Sequence, residues 1–234
     1  MQRTGSFHES KEAGNHRMVR TVSCLLAFCL PLCVMAQKVE QSAVKADYGK
    51  PALLAVAELA GFDSLPDDRR KLIEEAIGVA RDSPWLPYLA GGAAPEEGGF
   101  DCSGAMYYIL RKVGLAPPRS SGGLMLWLRS NGRLHLVSAE ATDLKHSSFA
   151  ALRPGDLLFW AVAGPDGEMR VHHVAMYLGT EKKDQRPVMI GSSNGRSYRG
   201  QRSNGFGVQD LYVPAAESSS RLVGYGTPHG IGVE

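Results

Sequence analysis

The spacing of apolar positions changes along the chain, and the change predicts two kinds of element. In "LPDDRRKLIEEAIGVARDS", Leu72, Ile73, Ala76, Ile77 and Ala80 recur at helical spacing. Pro66, Asp67 and Asp68 suit the first turn, where a missing N–H costs nothing and acidic groups meet the positive end of the helix dipole. The preceding "PALLAVAELAG" reads as another helix, and "PWLPYLAGGAAPEEGG" as a Pro/Gly-rich loop. Cys102 to Val113 reads as a helix stopped by Gly114. After a Gly/Ser-rich loop at 117–123, a short helix runs through "LMLWLRS". Beyond Pro154, "GDLLFWAVA", "RVHHVAMYLG", "PVMIGSS", "FGVQDLYVP" and "RLVGYG" read as strands, divided by turn signals such as "GPDG". Helices first and strands second predict an α+β domain with an antiparallel sheet.

The N-terminus has a different pattern. "MVRTVSCLLAFCLPLCVMAQ" has a basic start, a short apolar core from Val22 to Val34, and small residues before a cut after Ala36, the layout of a secretory signal peptide. The core falls short of the about 20 apolar residues that span a bilayer. Residues 1–17 are polar and read as an upstream extension, with Met18 as an alternative start. Cys24, Cys29 and Cys33 raise a lipid anchor as the competing reading, but Leu30-Pro31-Leu32 lacks the small residues such processing wants. Residues 37–50 read as a linker and 51–230 as a single domain, in a protein exported to the periplasm or beyond the cell.

Charge narrows the partners. The chain carries 26 basic and 24 acidic residues, and the first 36 residues hold four of the former and two of the latter, which leaves 22 of each. A neutral mature chain lacks the concentrated basic footprint of a nucleic-acid binder. With the leader gone, no transmembrane segment is expected. There is no His-Glu-x-x-His helix, Gly-x-Ser-x-Gly elbow or phosphate loop, so neither metal nor cofactor is expected.

Removal of the leader also leaves Cys102 alone, unable to form an internal disulfide. A buried structural thiol is one reading. The stretch "GGFDCSG" favours another: Asp101 is a natural N-cap, which puts Cys102 in the first turn. There the helix dipole and free N–H groups lower a thiol pKa from ~8.5 into about 3.5 to 7.5, and they can hold an oxyanion. Gly98 and Gly99 let the loop approach, and Gly104 leaves room beside the nucleophile. For a base the mature chain offers His135, His146, His172, His173 and His229. Strand alternation sends His172 and His173 to opposite faces. His173 shares its face with Ala175, which leaves a gap for substrate and favours His173; a structural histidine is the competing reading.

These residues resemble the NlpC-type (p-sixty) cysteine peptidases of bacterial cell walls, a family with a papain-like fold. "PWLPYLAGG" resembles the family's Pro-Tyr-x-x-Gly-Gly loop, "GFDCSGAMYYILRKVGL" its nucleophile motif, and "PPRSS" its Pro-Arg-Thr-Ser turn. "LRPGDLLFW" and "HHVAMYLG" resemble the strand pair that carries the base. The resemblance covers roughly residues 68 to 195. It implies Cys102 as nucleophile, His173 as base, and Tyr88, Asp101 and Ser103 as lining for the substrate subsites; Arg119 matches a family position with a structural role in the turn as its alternative. Two places depart from the pattern. The family's third polar residue falls on Gly191, for which Ser193, on the same strand face, is the substitute, with Asn194 next. Leu124 stands where the family tends to have Gln. The implied activity is hydrolysis of peptidoglycan stem peptides, between D-glutamate and a diamino acid, by a monomer. A wall-binding module without catalysis, and an amidase or acyltransferase with the same Cys-His pair, are the alternatives. The basic, glycine-rich "NGRSYRGQRSNG" reads either as a solvated mobile loop or as a place where Arg196, Arg199 or Arg202 meets carboxylates of the wall peptide.

Overall fold

The computed structural model describes residues 48–83 and 85–232, all within one compact unit, Ser42–Glu234. The expected signal peptide and most of the expected linker lie outside the described residues. The apolar stripe around Leu72 forms helix α1 (Asp67–Asp82), with Leu72, Ile73, Ala76, Ile77 and Ala80 buried. Helix α2 (Cys102–Lys112) begins where the Asp101 Oδ1 accepts the Gly104 N–H at 2.6 Å. It ends before Gly114, whose positive φ of 90° lets its N–H reach the Arg111 carbonyl. Helix α3 (Ser121–Ser130) starts inside the expected loop, because Ser120 caps it through the Gly123 N–H.

Two short strands, β1 (Ala93–Ala94) and β2 (Gly99–Phe100), pair just before α2. Six further strands follow: β3 (Leu134–Leu136), β4 (Leu157–Ala163), β5 (Met169–Thr180), β6 (Pro187–Tyr198), β7 (Gln201–Asp210) and β8 (Ser220–Gly226). They form one sheet in the order β3-β8-β4-β5-β6-β7, every pair antiparallel. The architecture is α+β. Val174, Met176, Leu178 and Ile190 face the helices in one apolar cluster. Trp160, Ala175, Met189 and Tyr225 pack in a second. Helix α2 lies against β5 and β6, which carries the cysteine to the histidine strand.

The structure corrects two readings of the chain. "PALLAVAELAG" is not a helix: only Val56–Glu58 makes a 3-10 turn, while Ala52 pairs with Val208 and Leu59 with Glu181. Strand β7 is the sheet edge, with backbone groups that need partners. The segment supplies them and buries Leu54 and Leu59 as anchors. The backbone pairing begins at Gly49, inside the stretch read as linker. Residues 194–205 are likewise not a loose loop but the continuous β6–β7 hairpin, turning at Arg199 and Gly200, both at positive φ.

Candidate active site

The ladder between β5 and β6 runs from Thr180 and Pro187 to Met176 and Ile190 and stops. The turn into α2 stands in the gap beyond. On the β6 side, the buried Ser192 Oγ donates to the Phe100 carbonyl at 2.6 Å. On the β5 side, the Cys102 Sγ lies 3.8 Å from the His172 carbonyl. The thiol thus rests against the backbone that leads into His173. Backbone N–H groups of Val174, Ser103 and Cys102 itself favour its ionised form, but burial outweighs them and pushes the thiol up from its ordinary value, with Asp101 adding to the rise. This corrects the expectation of a depressed thiol. The helix terminus does act in that direction, but the sulfur is 6% exposed as part of its residue and loses more hydration than the dipole returns.

The strand carries a bulge at this place. Trp160 opposes His173 and Ala161 opposes Val171, so His172 is the extra residue. Simple alternation therefore fails here: the two imidazole rings stand 6.4 Å apart, and the His172 Nε2 pairs with the Ser220 Oγ at 2.9 Å. His173 is buried beside the Trp160 ring at 5.4 Å. Burial, then the Arg196 cation, then His172 hold it well below the ordinary imidazole range. Burial therefore favours the neutral form of both groups.

Arg119 organises the loop in front of α2. It donates to both Asp101 carboxylate oxygens, to the Ser103 Oγ, and to the Gly91 and Gly92 carbonyls. Asp101 also accepts from the Gly91 N–H and the Ser103 hydroxyl. Against the upward push of burial, these bonds keep the Asp101 carboxyl below its usual range. Asp101 and Ser103 thus turn their polar atoms to Arg119, a structural clamp. Gly104 does not leave room beside the nucleophile; a Cβ there would stand 1.9 Å from the Gly92 carbonyl oxygen, so the space is filled by loop backbone. Tyr88 is half-buried, which raises its phenol, with Cys102 and Asp101 adding to the rise, and its N–H donates to the Asn204 Oδ1 at 3.2 Å.

Gly191 stands beside Ala175, whose Cβ a side chain at 191 would meet at 3.0 Å. Ser193 is buried on β6 opposite Gly205, and its hydroxyl makes no hydrogen bond to His173 among the described residues. Asn194 is exposed. Among the described residues the His173 Nε2 is buried without a partner, as are the Trp160 Nε1, the Arg196 Nη1 and the Gln209 Oε1. Sequence reasoning missed Trp160 and Ser192. Both act through cross-strand or strand-to-turn contacts, and no local pattern encodes those.

A capped helix in an α+β fold delivers one cysteine into the split between a histidine-bearing strand and its neighbour. The family comparison agrees with that arrangement. The chain belongs to the NlpC/P60 family, whose model matches residues 86–208. It is 32% identical over 121 residues to a gamma-D-glutamyl-L-lysine dipeptidyl-peptidase of Bacillus subtilis, covering 51% of this chain and 34% of that protein. It is 33% identical over 144 residues to the peptidoglycan endopeptidase RipB of Mycobacterium tuberculosis, covering 56% and 51%. The murein DD-endopeptidase MepH of Escherichia coli is 30% identical over 133 residues, covering 55% and 42%. The chain therefore spans about a third to a half of these relatives. A solved NLP/P60-family structure from Staphylococcus aureus, described as similar to lipoprotein, aligns with a TM-score of 0.36 at 19% identity, over 64% of this chain and 43% of that one. Among the described residues no helix is long and apolar enough to cross a membrane.

Proposed function

We propose that the protein is an exported cysteine peptidase that cleaves stem peptides of peptidoglycan, at the bond between D-glutamate and a diamino acid. The observation that carries this reading is the Cys102 thiol held in the β5–β6 split against the His172 carbonyl, one residue before His173. The named activities of the family relatives support the substrate class. His173 takes the thiol proton as Sγ attacks the amide carbonyl, so the thiolate need exist only as the bond forms. Backbone N–H groups at the start of α2 hold the oxyanion. The C–N bond breaks, the amine leaves with the proton from the imidazolium, and a thioester remains. Water then adds to the thioester while His173 takes its proton, and collapse returns the thiol and a free acid. Tyr88 lines the acyl subsite, and Ser193 steadies His173. Residues 1–36 direct export to the periplasm or exterior, 51–230 form the peptidase domain, and the protein works as a monomer.

A second reading, a wall-binding module without catalysis, draws on the buried neutral thiol and the unpartnered His173 Nε2. One experiment separates the two. Purified muropeptides are incubated with the full chain or with Cys102→Ala and resolved by mass spectrometry. New fragments ending at D-glutamate, absent with the variant, are expected. Retention of intact muropeptides by both proteins without cleavage establishes the binding module instead.

A further inference from the structure

Three arginines of the β6–β7 hairpin face different fates. Arg199 is ion-paired to Glu181 and Asp184. Arg202 donates to the Gly195 carbonyl and lies 4.5 Å over the Tyr48 ring. Arg196 has no carboxylate partner among the described residues. Its guanidinium is sandwiched 4.4 Å from the Trp160 ring and 4.9 Å from the Tyr212 ring. Trp160 is the residue that opposes His173 across β4 and β5, and its ring lies 5.4 Å from the imidazole. Both the Arg196 Nη1 and the His173 Nε2 are buried without a hydrogen-bond partner among the described residues, and both side chains lie against the Trp160 ring.

A cation withdrawn from water without a counter-ion is costly, and the cost is recovered when an anion arrives. Two aromatic faces hold the planar group in place, so that its N–H fork is pre-oriented for a carboxylate. We propose that Arg196 is a specificity residue that binds a substrate carboxylate next to the scissile bond. The inference rests on the hydrolase reading and names what that site selects: a peptide with a free carboxylate there, in preference to its amide. Burial lowers the Arg196 proton affinity, against the opposing pull of Tyr212 and, more weakly, of Cys102. Burial first, and this cation second, hold His173 below the ordinary imidazole range.

The test uses three synthetic stem peptides: one with both carboxylates free, one amidated at the D-glutamate carboxyl, and one amidated at the diamino acid carboxyl. Wild type, Arg196→Gln and Arg196→Lys are compared by kcat/KM, with thermal melts as a check on folding. Wild type is expected to lose on the order of 10- to 100-fold on one amidated peptide, which identifies the carboxylate. Arg196→Gln should lose the same factor on the free peptide and little on that amidated one, with partial recovery in Arg196→Lys. Equal losses on all three peptides would mean that Arg196 only packs against Trp160, and the proposal falls. It also falls if wild type does not discriminate. A protein that cleaves none of them fails the hydrolase reading only. The carboxylate site is then read by protection of Cys102 from iodoacetamide by L-alanyl-γ-D-glutamate against its amide. Protection by the acid alone, lost in Arg196→Gln, supports the site, and equal protection overturns it.

Discussion

His173 shows how one residue links burial to function. Its folded proton affinity lies below the ordinary value of 6.5, so the unfolded chain binds the proton first as pH falls. Stability contributed by the neutral imidazole is present above about pH 6.5 and is lost as pH falls toward the folded pKa. The slope for one such site is at most about 1.4 kcal/mol per pH unit. His172, although exposed, is shifted in the same direction by partial loss of hydration and by Arg196. The unfolding free energies of wild type and His173→Gln, measured in urea from about pH 7 to about pH 5, should therefore converge as pH falls. Parallel lines would show that the imidazole binds its proton equally well in the folded and the unfolded chain. At this scale the cysteine's position was legible, because an N-cap acts within three residues. Its raised proton affinity was not, since burial depends on strands 70 residues away in the chain.

At the scale of elements, the nucleophile helix is positioned by contact between backbones. Gly104 of α2 touches the Gly92 carbonyl where any side chain would overlap it. Gly104→Ala should destabilise by about 1–3 kcal/mol and displace the 91–92 loop. Gly122→Ala in α3, with open space around its Cβ, should be neutral or stabilising by up to about 1 kcal/mol. Thermal melts of the two variants check this; similar behaviour of both would remove the close approach as the reason for glycine at 104. Helices α1 and α2 were legible from periodicity and caps. The 51–61 segment misled because its alanines and leucines suit a helix, while an open sheet edge offered its backbone better partners. Hairpin residues 194–205 misled in the opposite way: glycines and charges look like a loop, yet cross-strand bonds hold them in strands.

At the scale of the whole molecule, a buried ion pair ties the helical layer to the sheet. Arg69 of α1 donates to Asp156 at 3.0 Å, to the Pro154 carbonyl and to Thr227, which itself donates to Asp156. Asp156 is 1% exposed. Removal of one partner leaves a buried charge uncompensated, so Asp156→Ala should cost about 3–5 kcal/mol in denaturant unfolding. A loss under about 1 kcal/mol, the range of a surface pair, would show that water already reaches Arg69. The Pro-Gly-Asp sequence was visible as a motif; its partner, 87 residues away, was not.

The sequence by itself determined the order of helices and strands, the cap in front of Cys102, and the family resemblance, because these rest on neighbours a few residues apart. Only the tertiary structure decided that β5 and β6 part to admit the thiol, that a bulge sets His172 beside His173, and that Arg196 is held between the Trp160 and Tyr212 rings without a counter-ion among the described residues. Those outcomes depend on register, burial and competition for partners among distant strands, and they exist only once the sheet has closed around the turn into α2.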